Sequence, residues 1–134
     1  MNIMNRVKLK NLILIATLLA PVHAFADASK ADWFGTYTMN HDGWRGTLTI
    51  TDTPADCAAP LWCDMALRYR GSDGQNRKGY IERIDDNGQH MVFFIKFPDN
   101  TQRFDAYIFS WDKKKMAGIT YWGGRRFGFF ATRN

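Results

Sequence analysis

Glutamate occurs once in this 134-residue chain, at Glu82, and cysteine twice, at Cys57 and Cys63. Past residue 26 serine is confined to Ser29, Ser72 and Ser110, none of them in a nucleophile-elbow pattern. No acid, base and nucleophile can be assembled from so thin a stock, which argues against an enzyme and leaves no catalytic residue to name. The Cys57–Cys63 spacing is not C-x-x-C and no redox fold pattern surrounds it, so a redox-active pair is not expected. His41 and His90 each sit beside a turn with no ligand spacing between them, so neither a metal nor another cofactor is expected. His41-Asp42 invites a catalytic reading, but Asp42 has a sufficient role as a turn residue. Helical periodicity, internal repeats and low-complexity segments are also missing.

The apolar run over residues 11–20 is too short to span a bilayer. It follows Arg6, Lys8 and Lys10 and precedes Ala24-Phe25-Ala26, the layout of a cleavable export signal, with cleavage expected before Asp27. No cysteine lies at that boundary, so neither an acyl anchor nor another stable membrane anchor is expected. Loss of residues 1–26 removes three of 18 cations and none of 13 acids, and the net charge falls from +5 to +2. The high isoelectric point of the whole chain is thus partly a property of the leader, and nucleic-acid binding is not expected. Location in the periplasm or outside the cell follows, and there the two cysteines are expected to form a disulfide closing the loop CAAPLWC. That loop holds Trp62, either to cap one end of the fold or to touch a partner.

What the chain has is strands and tight turns. Residues 33–40 alternate Trp33, Gly35, Tyr37 and Met39 against Phe34, Thr36, Thr38 and Asn40. Asp42-Gly43 is a type I′ hairpin signal that sets Met39 against Gly46, Tyr37 against Leu48 and Gly35 against Ile50, and so turns Trp44 inward with Leu48 and Ile50. A second tight turn at Asp73-Gly74 sets Tyr69 against Lys78, Leu67 against Tyr80 and Met65 against Glu82. A third at Asn87-Gly88 sets Ile84 against Met91, Glu82 against Phe93 and Tyr80 against Ile95. Both turns place Glu82 inside. The central hairpin, residues 89–111, pairs Ile95 with Phe104 and Phe93 with Ala106 if residues 98–101 form the turn. The last hairpin, around Gly123-Gly124, pairs Thr120 with Phe127 and Gly118 with Phe129. A five-residue connection over 111–115 puts Met116, Gly118, Thr120 and Trp122 inside; a four-residue one puts Ala117, Ile119 and Tyr121 there.

Eight short strands in residues 27–134 make one all-β domain, and closing the sheet removes its edges. An eight-stranded antiparallel up-and-down barrel is the expected fold, with a two-sheet sandwich as the alternative. Gly35-Thr36-Tyr37 on the first strand resembles the G-x-W opening of the avidin and lipocalin group of small exported, calycin-type barrels. The biotin-pocket residues of avidins are not found, nor are the longer loops and second disulfide common in lipocalins. The segments NHDGWRGTL (40–48) and FGFFA (127–131) are similar to segments of exported bacterial proteins, a resemblance that implies no activity.

Large inward side chains favour a filled interior with at most a shallow pocket at one mouth. The lone carboxylate of Glu82 needs a partner there. A tyrosine hydroxyl or Lys78 would satisfy it, or else it orients a polar ligand group together with Tyr80 and Trp44. Glu82, Tyr80, Trp44, Tyr37 and Trp62 are therefore the candidate ligand contacts. Outside, Ile81, Val92, Phe94, Tyr107, Phe109 and Trp111 form an apolar patch, a candidate interface for a homodimer or a protein partner unless the N-terminal segment or the disulfide loop covers it. Arg68, Arg70, Arg77, Lys78 and Arg83, with Lys113 to Lys115, Arg125 and Arg126, would hold an acidic partner if they converged on one end. The expected function is a non-enzymatic binding module for a protein or a small amphipathic ligand. The alternative is an inhibitor of an extracellular hydrolase or protease acting through the Cys57–Cys63 loop.

Overall fold

Eight antiparallel strands pair in chain order and the last closes on the first: β1 (Gly35–His41), β2 (Trp44–Thr51), β3 (Ala66–Gly71), β4 (Asn76–Asp85), β5 (His90–Lys96), β6 (Thr101–Ile108), β7 (Lys115–Trp122) and β8 (Arg125–Arg133). The computed structural model describes residues 27–53 and 64–134. The expected leader and the expected disulfide loop, with Cys57, Trp62 and Cys63, lie outside them. Closure at β1–β8, where Met39 faces Ala131, makes the molecule an up-and-down barrel and excludes the two-sheet sandwich. No helix among the described residues is long and apolar enough to cross a membrane.

The β1–β2 register is the expected one, from Gly35 opposite Ile50 to His41 opposite Trp44. Asp42 (φ 32°) and Gly43 (φ 85°) take the left-handed backbone that a type I′ turn requires. The β7–β8 register is also as expected, and Ile108 faces Met116, which places Met116 and Thr120 inside. The central hairpin is displaced by two residues, with Phe93 opposite Phe104 and Ile95 opposite Gln102, because the turn spans residues 97–100. A shift of two preserves every side chain's face. Met91, Phe93, Ile95, Phe104, Ala106 and Ile108 all point into the core.

Strand β4 departs from expectation. Tyr69 faces Arg77 and Leu67 faces Gly79, one residue off the expected pairing, because the connection runs over 72–75. Asp73 accounts for it: one carboxylate oxygen accepts from the Gln75 amide at 3.0 Å, and the carboxylate grips Arg77 at 2.8 and 3.2 Å. A one-residue shift inverts a strand. Ile81 is thereby buried in the core rather than exposed in an outer patch, and Tyr80 faces outward, stacked on Phe94 with ring centroids 5.0 Å apart. A β-bulge at Glu82 then restores the expected pairing of Ile84 with Met91. Glu82 is the bulged residue, a half-exposed neighbour of Arg83 and not a core carboxylate.

One end of the barrel is sealed. The 3₁₀ helix η1 (Lys30–Trp33) precedes β1 and drives Trp33 into the core, completely buried, where its indole Nε1 donates to the Gly88 carbonyl at 2.7 Å. Tyr37, also fully buried, donates its hydroxyl to the Trp33 carbonyl at 3.0 Å. Arg133, at the end of β8, donates to the Phe34 carbonyl at 2.8 Å, and Lys113 reaches back to the Asp27 carbonyl at 2.8 Å. In a meander the four odd–even hairpin turns share the other end, and no corresponding segment crosses it among the described residues.

Candidate functional site

The open end holds a cavity of about 370 Å³. Its rim is aromatic. Trp44 is 61% exposed there, so its inward parity leads out of the mouth instead of into the core. Phe97 meets the Trp122 ring edge-on at 6.0 Å. Beneath the rim lies a buried polar chain built from four strands. Asp42 accepts the Nδ1 proton of buried His41, and the Tyr69 hydroxyl donates to His41 Nε2 at 2.7 Å. Gln102 donates to Asp42 at 3.2 Å and to the Thr120 hydroxyl at 2.8 Å, and Thr120 donates to the Arg103 carbonyl at 2.7 Å. Each member is held by its neighbours, as buried polar groups must be.

Local chemistry explains the placement. Gly46 faces Gly71 across the β2–β3 ladder, and a Cβ on it would lie 2.3 Å from the Tyr69 ring, so only glycine admits that ring beside His41. Inward-facing Arg77 lies over the Phe97 ring at 5.1 Å and is paired with Asp73, whose carboxyl its hydrogen bonds hold down to about 2. Arg77 Nε is buried with no partner among the described residues.

Burial pushes the Tyr69 phenol up to about 12, with the Asp42 and Asp73 charges adding to the shift against Arg77. Burial likewise raises Tyr37 to about 12. A phenol raised in the folded state contributes stability that is intact below the unfolded value of about 10 and is lost as pH climbs toward 12. The free energy of unfolding is therefore expected to stay level up to about pH 10 and then fall, with a shallower fall in Tyr69→Phe. Tyrosinate absorbance during alkaline unfolding checks this. Ionisation of all five tyrosines near pH 10 in the folded protein would contradict it.

The expected ligand contacts are not brought together. Trp44 stands on the mouth and Tyr37 in the sealed end; Glu82 and Tyr80 are on the outer wall, and Trp62 lies outside the described residues. The expected outer patch is also divided. Ile81 is internal; Val92 is fully buried, facing Arg83 on one side and Asp105 on the other; Phe94 stacks on Tyr80. Tyr107, 48% exposed, stacks on His90 at 4.4 Å, while Phe109 packs against Trp111 at 5.0 Å beside the sealed end. The exposed apolar surface extends instead over Ile119, Tyr121 and Phe130 on β7 and β8. The cations do not converge: Lys113 clamps the sealed end, Arg125 and Arg126 flank the open-end turn of β7–β8, and Arg68 and Lys78 face each other on the wall. His90 is bracketed by Asp85 at 2.5 Å and Asp105 at 3.2 Å, and Asp85, Asp86 and His90 bring ligand-type atoms within 4.8 Å of one another.

Sequence reasoning missed the mouth residues Arg77, Phe97, Gln102 and Trp122 as a set. The available signal was a glutamine at inward parity beside a turn; Arg77 had outward parity in the expected pairing and reaches the mouth only through the shift of β4. No protein-family model matches the chain, and no curated protein matches it.

Proposed function

We propose that this barrel is an exported, non-enzymatic binding module that takes a small amphipathic ligand at its open mouth. The supporting observation is the cavity of about 370 Å³, in which an aromatic rim of Trp44, Phe97 and Trp122 overlies a fixed polar chain. That size lies within the range of small-molecule sites, and an apolar wall with a few placed polar groups is their usual composition. His41, Asp42, Tyr69 and Gln102 hydrogen-bond one another and so fix the polar floor of the mouth in one arrangement, which supports a preformed binding site. Strand number and order, together with Gly35-Thr36-Tyr37, support a place beside the avidin and lipocalin barrels.

Nile red, a neutral amphipathic dye, is expected to bind the exported product of the full chain at one site. Phe97→Ala should weaken it roughly tenfold, the worth of one good aromatic contact. Native mass spectrometry of the same material checks for a retained ligand. A protein partner on the outer face is the second reading, favoured by the exposure of Tyr107, Ile119 and Phe130. Dye binding that survives Phe97→Ala and falls with Tyr107→Ser would move the site to that face.

A further inference from the structure

Taking the mouth as the ligand site, we infer that its ligand is an organic cation, a substituted ammonium whose apolar body lies among the rim aromatics. The lining is negative on balance. Asp42, Asp73 and Asp99 line the cavity against the single guanidinium of Arg77, so the sum is negative whichever protonation state His41 takes. The two signs also differ in how far they are engaged. Arg77 is held by both carboxylate oxygens of Asp73 and lies over the Phe97 ring, so an entering anion finds no open cation. Asp99 is the converse: its residue is exposed at the rim, two positions after Phe97, and its carboxylate has no hydrogen bond or ion pair among the described residues. A cation entering the mouth meets a free counter-charge, and an anion meets a like one. Arg45, Arg125 and Arg126 stand in neighbouring turns, but all three are exposed to water, where salt screens them, and none lines the cavity.

The rim suits the same charge. An aromatic face attracts a cation through its quadrupole, and tryptophan does so best. Phe97 already serves Arg77 in this way, with the guanidinium 5.1 Å from the ring centroid. No cation lies over Trp44 or Trp122 among the described residues, and the two side chains remain 61% and 38% exposed on the same cavity. Alkyl groups on the ammonium lower its cost of leaving water and give the indoles apolar surface to cover. A neutral ligand with the same body gains the apolar contact alone.

Three probes sharing a benzyl group separate the possibilities: benzyltrimethylammonium, benzyl alcohol and phenylacetate, titrated into the full-chain product and followed by ¹H–¹⁵N NMR. The ammonium is expected to shift the Trp44 and Trp122 indole signals and to bind about tenfold more tightly than the alcohol, with phenylacetate weaker still. Added salt should weaken the ammonium and leave the alcohol unchanged. Asp99→Asn removes a charge that has no partner to lose, and should cost the ammonium about fivefold while the alcohol affinity and the urea midpoint stay level. Trp44→Leu keeps apolar surface at the rim without the ring face, and should weaken the ammonium about threefold, more than the alcohol. Equal or tighter mouth binding of the alcohol or of phenylacetate would overturn the inference while leaving the mouth as a ligand site. An ammonium affinity unmoved by salt and by Asp99→Asn would overturn it in the same way. Failure of benzyltrimethylammonium to shift the mouth signals at millimolar concentration would also overturn it, and the Nile red titration then reports separately whether the mouth binds ligands at all.

Discussion

Trp33→Ala is expected to lower the free energy of unfolding by about 3–5 kcal/mol, a large part of the total for a domain of this size. Trp33 is completely buried, and it seals the end of the barrel opposite the mouth. Truncation removes the indole from a packed core and leaves a void that β-strands tied on both sides cannot collapse into. It also strands the Gly88 carbonyl, which accepts from Nε1 at 2.7 Å, and loosens the segment whose carbonyl holds the Tyr37 hydroxyl. Trp33→Phe separates these effects, since it keeps most of the apolar volume and loses only the carbonyl's partner, at about 1–3 kcal/mol. Trp111→Ala is the control: that ring is 80% exposed, and its removal should cost less than about 0.5 kcal/mol. Urea unfolding of the three variants gives the comparison. A Trp33→Ala protein within about 1 kcal/mol of the parent would show that η1 does not seal the barrel.

Phe104→Ala is expected to cost a similar amount, about 3–5 kcal/mol, and to damage the mouth as well. Its ring stacks on Phe93 at 4.9 Å, meets Phe129 edge-on at 5.3 Å and meets the His41 imidazole edge-on at 5.5 Å. Phe104 thus joins the apolar core to the polar chain under the cavity. With the ring gone, His41 has room to leave its place between Asp42 and Tyr69, so Nile red should bind more weakly even where the variant remains folded. Phe104→Ala and Tyr69→Phe both act on His41, so their effects should be non-additive by about 0.5 kcal/mol or more. Additive losses with unchanged dye binding would separate the core from the mouth.

How far the chain could be read depended on where each strand's face was decided. In β1 and β2 a two-residue turn and an alternating pattern act on the same seven pairs, so local chemistry alone set the register. In β5 and β6 the turn lies one residue earlier than its expected place, which moves the pairing by two, and no side chain changes face. Strand β4 had no such protection. The loop before it takes one residue more than a tight turn because Asp73 binds Arg77 and the Gln75 amide, a preference that becomes visible only when those groups are in place. The turn after it keeps its own register. The two boundary conditions on β4 differ by one residue, and the bulge at Glu82 absorbs the difference. A tight turn at Asp73-Gly74 would agree with the turn after β4 in burying Glu82; the longer loop that forms breaks that agreement and leaves Glu82 on the bulge.

The amino-acid order by itself determined the strand number, the meander order, the faces of five strands and most of the core, because period-two hydrophobicity and short turns act over a few residues. The tertiary structure decided which end of the barrel is stoppered and which is open, because Trp33 meets Gly88 across 55 positions and Gln102 meets Asp42 across 60. Such pairings arise only when the first strand closes on the last, and closure is a property of the whole sheet.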